Sequence, residues 1–172
     1  VIKPASDTPL SALKITEILL EAGLPPEAIQ CVTGSGSSIG DALVADKRIR
    51  KVTFTGSMEV GEHICRTAGL KKVTMELGSN SPLIVMPDAD MDKVVAGTVA
   101  SGFSNAGQVC IAAKRVYIHK DIYDDLSKAI AEYAKTVVVG DGSQQGTGVG
   151  PIQNKKQYER VLELVQDAKD NG

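Results

Sequence analysis

Hydrophobic positions in the first half of the chain follow two alternating periods. Leu10, Leu13, Ile18 and Leu20 fall at helical spacing behind Thr8-Pro9, a hydroxyl suited to an N-cap followed by a proline at the first helical position, where its missing N–H costs nothing. Gly23 and then Pro25-Pro26 end this predicted helix. Val1–Pro4 reads as the end of a strand and Ile29–Thr33 as a short β-like run, followed by a turn at Gly34-Ser35-Gly36 and a short helix over Ser38–Ala45. Lys51–Thr55 alternates as a strand, Gly56-Ser57 opens a helix carried by Val60, Ile64 and Cys65 and closed near Gly69, and Val73–Leu77 is a further strand. The order is β-α-β-α-β, which predicts an α/β fold with a parallel sheet and crossover helices.

After the apolar run Leu83–Met86 and Pro87 the texture changes. Asp88 and Asp90 flank the start of a helix from Met91 to about Ser104, carboxylates that suit its positive end. Arg115–His119 reads as a strand. Two amphipathic helices follow, Ile122–Val137 through Ile122, Leu126, Ile130 and Tyr133, and Gln153–Ala168 through Tyr158, Val161, Leu162 and Val165, with the glycine-rich loop Gly140–Gly150 between them. With no repeat or linker, a domain boundary is expected at a tight junction near Gly78, dividing the chain into residues 1–77 and 78–172.

The chain has 172 residues, 42% apolar and 23% charged, which excludes disorder and fibrous repeats. Lys and Arg number 19 against 21 Asp and Glu, a net charge of −2, and this balance offers no footprint for a nucleic-acid backbone. Cys31, Cys65 and Cys110 form an odd, widely spaced set without a CxxC pair, so neither a disulfide framework nor a zinc clamp is expected. No apolar run approaches the roughly 20 residues of a membrane span, and the expected compartment is cytoplasmic and reducing. The chain opens on Val1 rather than Met and reads as a piece of a longer protein.

Four segments carry chemical potential. Gly34-Ser35-Gly36-Ser37-Ser38-Ile39-Gly40 follows a β-like run, but its G-x-G-x-x-x-G spacing is one residue too long for the dinucleotide fingerprint, and taken alone it reads better as an ordinary βα turn. Phe54-Thr55-Gly56-Ser57 brings a strand end into a helix N-terminus, a place for a phosphate or simply a capped helix. Met75-Glu76-Leu77-Gly78 sets a carboxylate at the end of an apolar strand, where burial would make it a base near neutral pH. Asn105-Ala106-Gly107-Gln108-Val109-Cys110 sets a thiol after a small polar turn, in the position of a nucleophile or of a small core residue. Cys31 and Cys65 fit strand and helix periodicity; His63 and His119 have no other ligand type nearby in sequence and suggest neither a metal site nor a triad.

Taken in order, these segments resemble the NAD(P)-dependent aldehyde dehydrogenases. The resemblance covers essentially the whole chain: Lys3-Pro4-Ala5 with Thr8-Pro9-Leu10, Glu21-Ala22-Gly23-Leu24-Pro25, Val52–Ser57, Met75–Gly78, Gly107–Cys110, Asp141-Gly142 and Gly150-Pro151-Ile152. It implies a Rossmann-like parallel half-sheet followed by the start of a second α/β catalytic domain. It also implies oxidation of an aldehyde to a carboxylic acid with NAD or NADP. Cys110 would attack the aldehyde to give a thiohemiacetal and then a thioester, its backbone N–H serving as one oxyanion donor, and Glu76 would activate the hydrolytic water. Lys3 would hold the adenosine ribose and Gly36 would admit the adenine side. Gly56 and Ser57 would meet the pyrophosphate with Thr55 and Val60 nearby, and Leu77 and Gly78 would line the nicotinamide end.

Two departures alter these expectations. Many family members carry Glu where this chain has Ser6, and a hydroxyl removes repulsion against a 2′-phosphate, making NADP acceptable. Many read E-L-G-G where this chain has Gly78-Ser79. Family subunits are several times longer and form homodimers or homotetramers, so the isolated chain is expected to be weakly active or inactive. A CoA-acylating relative is the alternative within enzymes, disfavoured by Glu76; an idle nucleotide-binding or oligomerisation module is the alternative outside them.

Overall fold

Val52 and Phe54 are half-buried and Lys51, Thr53 and Thr55 exposed in the strand β1 (Lys51–Thr55) of the computed structural model, which describes residues 1–171. β1 pairs in parallel with β2 (Lys72–Glu76), in register from Lys51 opposite Lys72 to Thr55 opposite Glu76. A parallel pair needs a crossover, and α3 (Met58–Ala68) supplies it. The Ser57 side chain caps α3 by accepting the Val60 N–H, and Gly69, at φ +60°, releases the chain from its end. Val44, on the short helix α2 (Asp41–Ala45), joins Ile64 and Ala68 of α3 in a small core against Val52, Phe54 and Met75.

The chain divides into two compact units, Val1–Gly78 and one that starts at Ser79. In the first, the predicted strand segments Val1–Pro4 and Ile29–Thr33 meet at a single parallel bridge, Ile2 to Cys31. Ile2 donates to the Gln30 carbonyl and accepts from the Val32 N–H; the next rung needs an N–H at position 4, and Pro4 has none. α1 (Leu10–Glu21) begins with Pro9 at its cap position, already at helical φ. No side chain caps it, so Thr8 does not take the expected role. The far end closes as predicted: Gly23, at φ +92°, donates to Leu20 and Leu24 donates to Leu19, a Schellman arrangement. The expected helix over Ser38–Ala45 is a π-type turn, Gly36–Gly40, running directly into α2.

In the second unit β3 (Pro82–Val85) pairs in parallel with β4 (Arg115–Ile118), Pro82 opposite Arg115 and Val85 opposite Ile118. α4 (Met91–Phe103) is the crossover, capped by Asp90, which accepts the Lys93 N–H at 3.3 Å. The Lys93 ammonium, 2.9 Å away, and that N–H together hold the Asp90 carboxyl below its ordinary range. α5 (Tyr123–Ala134) follows a 3-10 turn at Lys120–Ile122 and buries Leu126 completely against Val85 and Val95. The glycine-rich loop is closed by a parallel bridge between Val139 and Val149.

The sheets thus form as two parallel pairs, one in each unit, rather than one continuous sheet. α6 (Lys155–Asn171) starts two residues later than its periodicity suggests and buries nothing: Tyr158, Val161, Leu162 and Val165 are all 42–52% exposed. Among the described residues no helix is long and apolar enough to cross a membrane.

Truncating the side chain with most to lose tests this core. Leu126→Ala is expected to destabilise the second unit by about 2–5 kcal/mol, whereas Leu162→Ala on the exposed face of α6 changes stability by no more than about 0.5 kcal/mol. Urea denaturation followed by circular dichroism reads both.

Candidate functional site

The first unit holds a cavity of about 460 Å³ whose wall is largely Val44, Val52, Phe54 and Ile64 and whose polar lining includes Lys3, Asp41, Glu59 and His63. Of the predicted cofactor residues, Lys3, Gly36 and Val60 line it; Ser6, Thr55, Gly56, Ser57, Leu77 and Gly78 do not. Lys3 is half-buried, and its ammonium donates to the carbonyls of Pro4 at 2.7 Å and Gly34 at 3.2 Å. The Ser6 hydroxyl donates to the same Gly34 carbonyl at 3.3 Å. These residues therefore converge on the turn that precedes Gly36, although 31 and 28 residues of chain separate Lys3 and Ser6 from Gly34.

Thr55, Gly56, Ser57 and Glu76 meet at the ends of β1 and β2. Thr55 faces Glu76 in register, and the Gly56 N–H donates to the Glu76 carbonyl at 3.0 Å, carrying the ladder one step past the strand. A side chain at position 56 would displace Phe54: a Cβ there would stand 2.3 Å from its ring. Ser57 then starts α3. Its neighbour Glu59 is held below the ordinary carboxylate range by its own backbone N–H first and by the Ser57 hydroxyl second. Leu77 packs over Gly61 of α3, where a Cβ would lie 2.8 Å from Leu77 Cδ2. Glu76 takes the solvated position usual for a Glu at a strand end rather than a buried one: it is exposed, because among the described residues β2 pairs with β1 alone and its last residue lies beyond the small core. Gly78, also exposed, ends the first unit.

Cys110 lies in the second unit, exposed, after a turn of unusual conformation. Asn105 (φ 51°), Ala106 (φ 57°) and Gly107 (φ 76°) are left-handed in succession, a conformation that costs a non-glycine residue about 1–2 kcal/mol. Three hydrogen bonds hold it: the Gln108 N–H and side-chain amide both donate to the Asn105 carbonyl, at 3.1 and 2.9 Å, and the Asn105 amide donates to the Gln108 carbonyl at 3.3 Å. Gln108 Oε1 also accepts the Gln153 N–H at 2.8 Å. Cys110 itself sits inside the next turn, closed by the Ala112 N–H on the Val109 carbonyl, and among the described residues its own N–H meets no acceptor.

Both histidines have partners that lie too far away, or too locally, for sequence spacing to suggest a function. His63 Nε2 lies 2.9 Å from Asp41 Oδ1, joining α3 to α2 beside the cavity, and His119 Nδ1 accepts the Asp121 N–H at 3.3 Å. Glu59, Asp41 and His63 are cavity residues that the motifs did not single out. The helical spacing of Glu59, Val60 and His63 on one turn of α3 was the available signal. Among the described residues no group of three or more His, Cys, Asp or Glu could hold a metal.

The sequence profile described as "Aldehyde dehydrogenase family" matches residues 1–172, and the chain belongs to that family. It is 45% identical over its full length to phenylacetaldehyde dehydrogenase of Pseudomonas fluorescens, covering 35% of that protein. It is 40% identical to the succinate-semialdehyde dehydrogenase [NADP(+)] of Escherichia coli, covering 36%. A crystal structure of an aldehyde dehydrogenase from Pseudomonas syringae with NAD+ and octanal superposes at a TM-score of 0.95 with 36% identity, over 99% of this chain and 36% of that one. The chain thus spans about a third of the length of these relatives.

The strain in the Cys110 turn is testable. Ala106→Gly relieves the left-handed penalty and is expected to raise stability by up to about 1 kcal/mol, whereas the β-branched Ala106→Val lowers it by more than that. Thermal unfolding of the three proteins gives the order Gly, wild type, Val.

Proposed function

We propose that this chain carries the nucleophile, the water-activating base and the adenosine-side cofactor residues of an aldehyde dehydrogenase that uses NAD or NADP. The observation that carries the reading is the presentation of Cys110: an exposed thiol after a strained, tied-down turn, with its own N–H free to receive an oxyanion. Cys110 Sγ attacks the aldehyde carbon, and the N–H stabilises the alkoxide of the thiohemiacetal. Formation of the thioester requires the thiohemiacetal carbon to lose a hydride, for which NAD or NADP, when bound, would be the acceptor, and its oxygen to lose a proton. Cys110 holds the acyl group as a thioester, and Glu76 takes a proton from the water that attacks it. The C–S bond then breaks, the carboxylic acid leaves and the thiol is restored.

The first unit fits the cofactor's adenosine end. Apolar walls suit a purine face, and Lys3 supplies a cation at the edge. Gly36, at the start of the π-type turn, brings bare backbone to the cavity wall, and Val60 adds apolar contact. The Gly56-Ser57 start of α3 offers N–H groups to the pyrophosphate, with Thr55 beside it and Leu77 and Gly78 beyond Glu76 toward the nicotinamide. The relatives described above include one named for NADP(+) and one bound to NAD+; Ser6 places no carboxylate beside Lys3, which leaves room for either.

The deciding experiment measures iodoacetamide labelling at each cysteine by peptide mass spectrometry near neutral pH, with and without NADP+. Cys110 is expected to react faster than Cys65, which is also exposed, and to respond to the cofactor. Equal rates at Cys110 and Cys65, indifferent to cofactor, would defeat the assignment. Cofactor choice has its own test: Ser6→Glu is expected to weaken NADP+ binding at least about tenfold relative to NAD+, since one repulsive contact of about 1.4 kcal/mol is a factor of ten, read by calorimetric titration of both.

A further inference from the structure

The segment that opens the second unit is bonded residue by residue to Lys114 and Arg115, which follow the Cys110 turn into β4, and at Ser79 to Cys110 itself. The Lys114 ammonium donates to the Ser79 carbonyl at 2.8 Å and Arg115 Nε to the Asn80 carbonyl at 3.0 Å. The Lys114 and Arg115 N–H groups both donate to the Ser81 carbonyl, at 3.1 and 3.2 Å, extending the β3–β4 pairing backwards. Within this frame the Ser79 hydroxyl donates to the carbonyl of Cys110. A hydroxyl has one proton, so in the contact between Ser79 Oγ and Ser81 Oγ at 2.8 Å the half-buried Ser81 is the donor. The result is a directed relay, Ser81 to Ser79 to Cys110.

We infer that Ser79 is a positioning residue for Cys110: its hydroxyl, polarised by Ser81, clamps the Cys110 carbonyl and so fixes the direction in which the thiol and the free N–H of that residue point. The inference rests on the reading of Cys110 as nucleophile and adds a part to it. A carbonyl held in place sets ψ at Cys110, while the Asn105–Gln108 bonds hold the chain on the other side. The peptide units flanking the thiol are then restrained from both directions. A glycine at position 79, the residue many family members carry, has no hydroxyl with which to do this. Chained hydroxyls strengthen one another, so Ser81 contributes through Ser79 rather than by touching Cys110.

The test uses the full chain with Ser79→Ala, Ser79→Thr and Ser81→Ala, and two readouts. Amide hydrogen exchange across residues 109–113 reports the clamp itself, and the ratio of iodoacetamide labelling at Cys110 to that at Cys65 reports its effect on the thiol. A net hydrogen bond of typical strength converts to roughly a three- to tenfold change. Ser79→Ala is therefore expected to speed exchange and to lower the labelling ratio by that factor, with Cys65 unaffected. Ser79→Thr restores both, and Ser81→Ala gives a smaller change in the same direction. Unchanged exchange in Ser79→Ala, a labelling ratio that stays level or rises, or failure of Thr to rescue would overturn the inference. If wild-type Cys110 reacts no faster than Cys65, the nucleophile reading fails instead, and the exchange data alone decide whether the clamp exists.

Discussion

Parallel pairing is the constraint from which the arrangement of functional groups follows. Two parallel strands cannot be joined by a tight turn; the chain must cross over and start again at the same edge. Their carboxyl ends therefore lie side by side, which is how Thr55 and Gly56 come to face Glu76 from a distant part of the sequence. The register is carried one step further at this edge by a bond from the Gly56 N–H to the Glu76 carbonyl, and the Phe54 ring fills the space a side chain at position 56 would need. A slip of one residue would turn Val52 and Phe54 away from Ile64 and Ala68 and carry Glu76 off the edge.

The second unit applies the same constraint differently. β3 and β4 are also parallel, but Cys110 lies before β4, in the return from α4, where no ladder holds the backbone. Its place is set by a strained turn whose polar atoms are almost all used: Asn105 and Gln108 bond to each other through backbone and side chains, and Gln108 reaches on to Gln153. Left-handed Asn is common and left-handed Ala is not. The penalty at Ala106 is offset only while those bonds persist, so the turn has one conformation in which it is well satisfied.

Most elements were legible in the sequence because each had its own local signal. Ser57 reads as a cap and Asp90 as a carboxylate at a helix start, and both act as caps; Gly23 and Gly69 read as stops and take positive φ, and the alternation of Lys51–Thr55 matches its burial. What failed to read depends on partners distant in sequence. The rung missing at Pro4 reduces the Ile29–Thr33 run to one bridge, and amphipathic spacing in α6 says which residues share a face without saying what covers it. The run Met75-Glu76-Leu77 leaves open whether Glu76 is buried or solvated, because that depends on how few strands flank β2 among the described residues. Among candidate site residues, the family resemblance singled out Lys3, Gly36 and Val60, which line the cavity, whereas neither it nor the motifs named Asp41 and His63, whose pairing exists only once α2 lies against α3.

That pairing matters for the electrostatics of the cavity. Its charged lining residues are Lys3 and Lys51 on one side of the balance and Asp41 and Glu59 on the other. Glu59 is tied to the start of α3 by its own N–H and by Ser57, and Asp41 is bonded to His63, so both carboxylates are engaged by the walls. Lys3 spends two of its three protons on the Pro4 and Gly34 carbonyls and remains half-exposed. Those carbonyls orient the ammonium without neutralising it, whereas a carboxylate at position 6 would. With Ser6 bonded to the same Gly34 carbonyl, the cavity keeps at its edge an aimed cation that no carboxylate at position 6 neutralises.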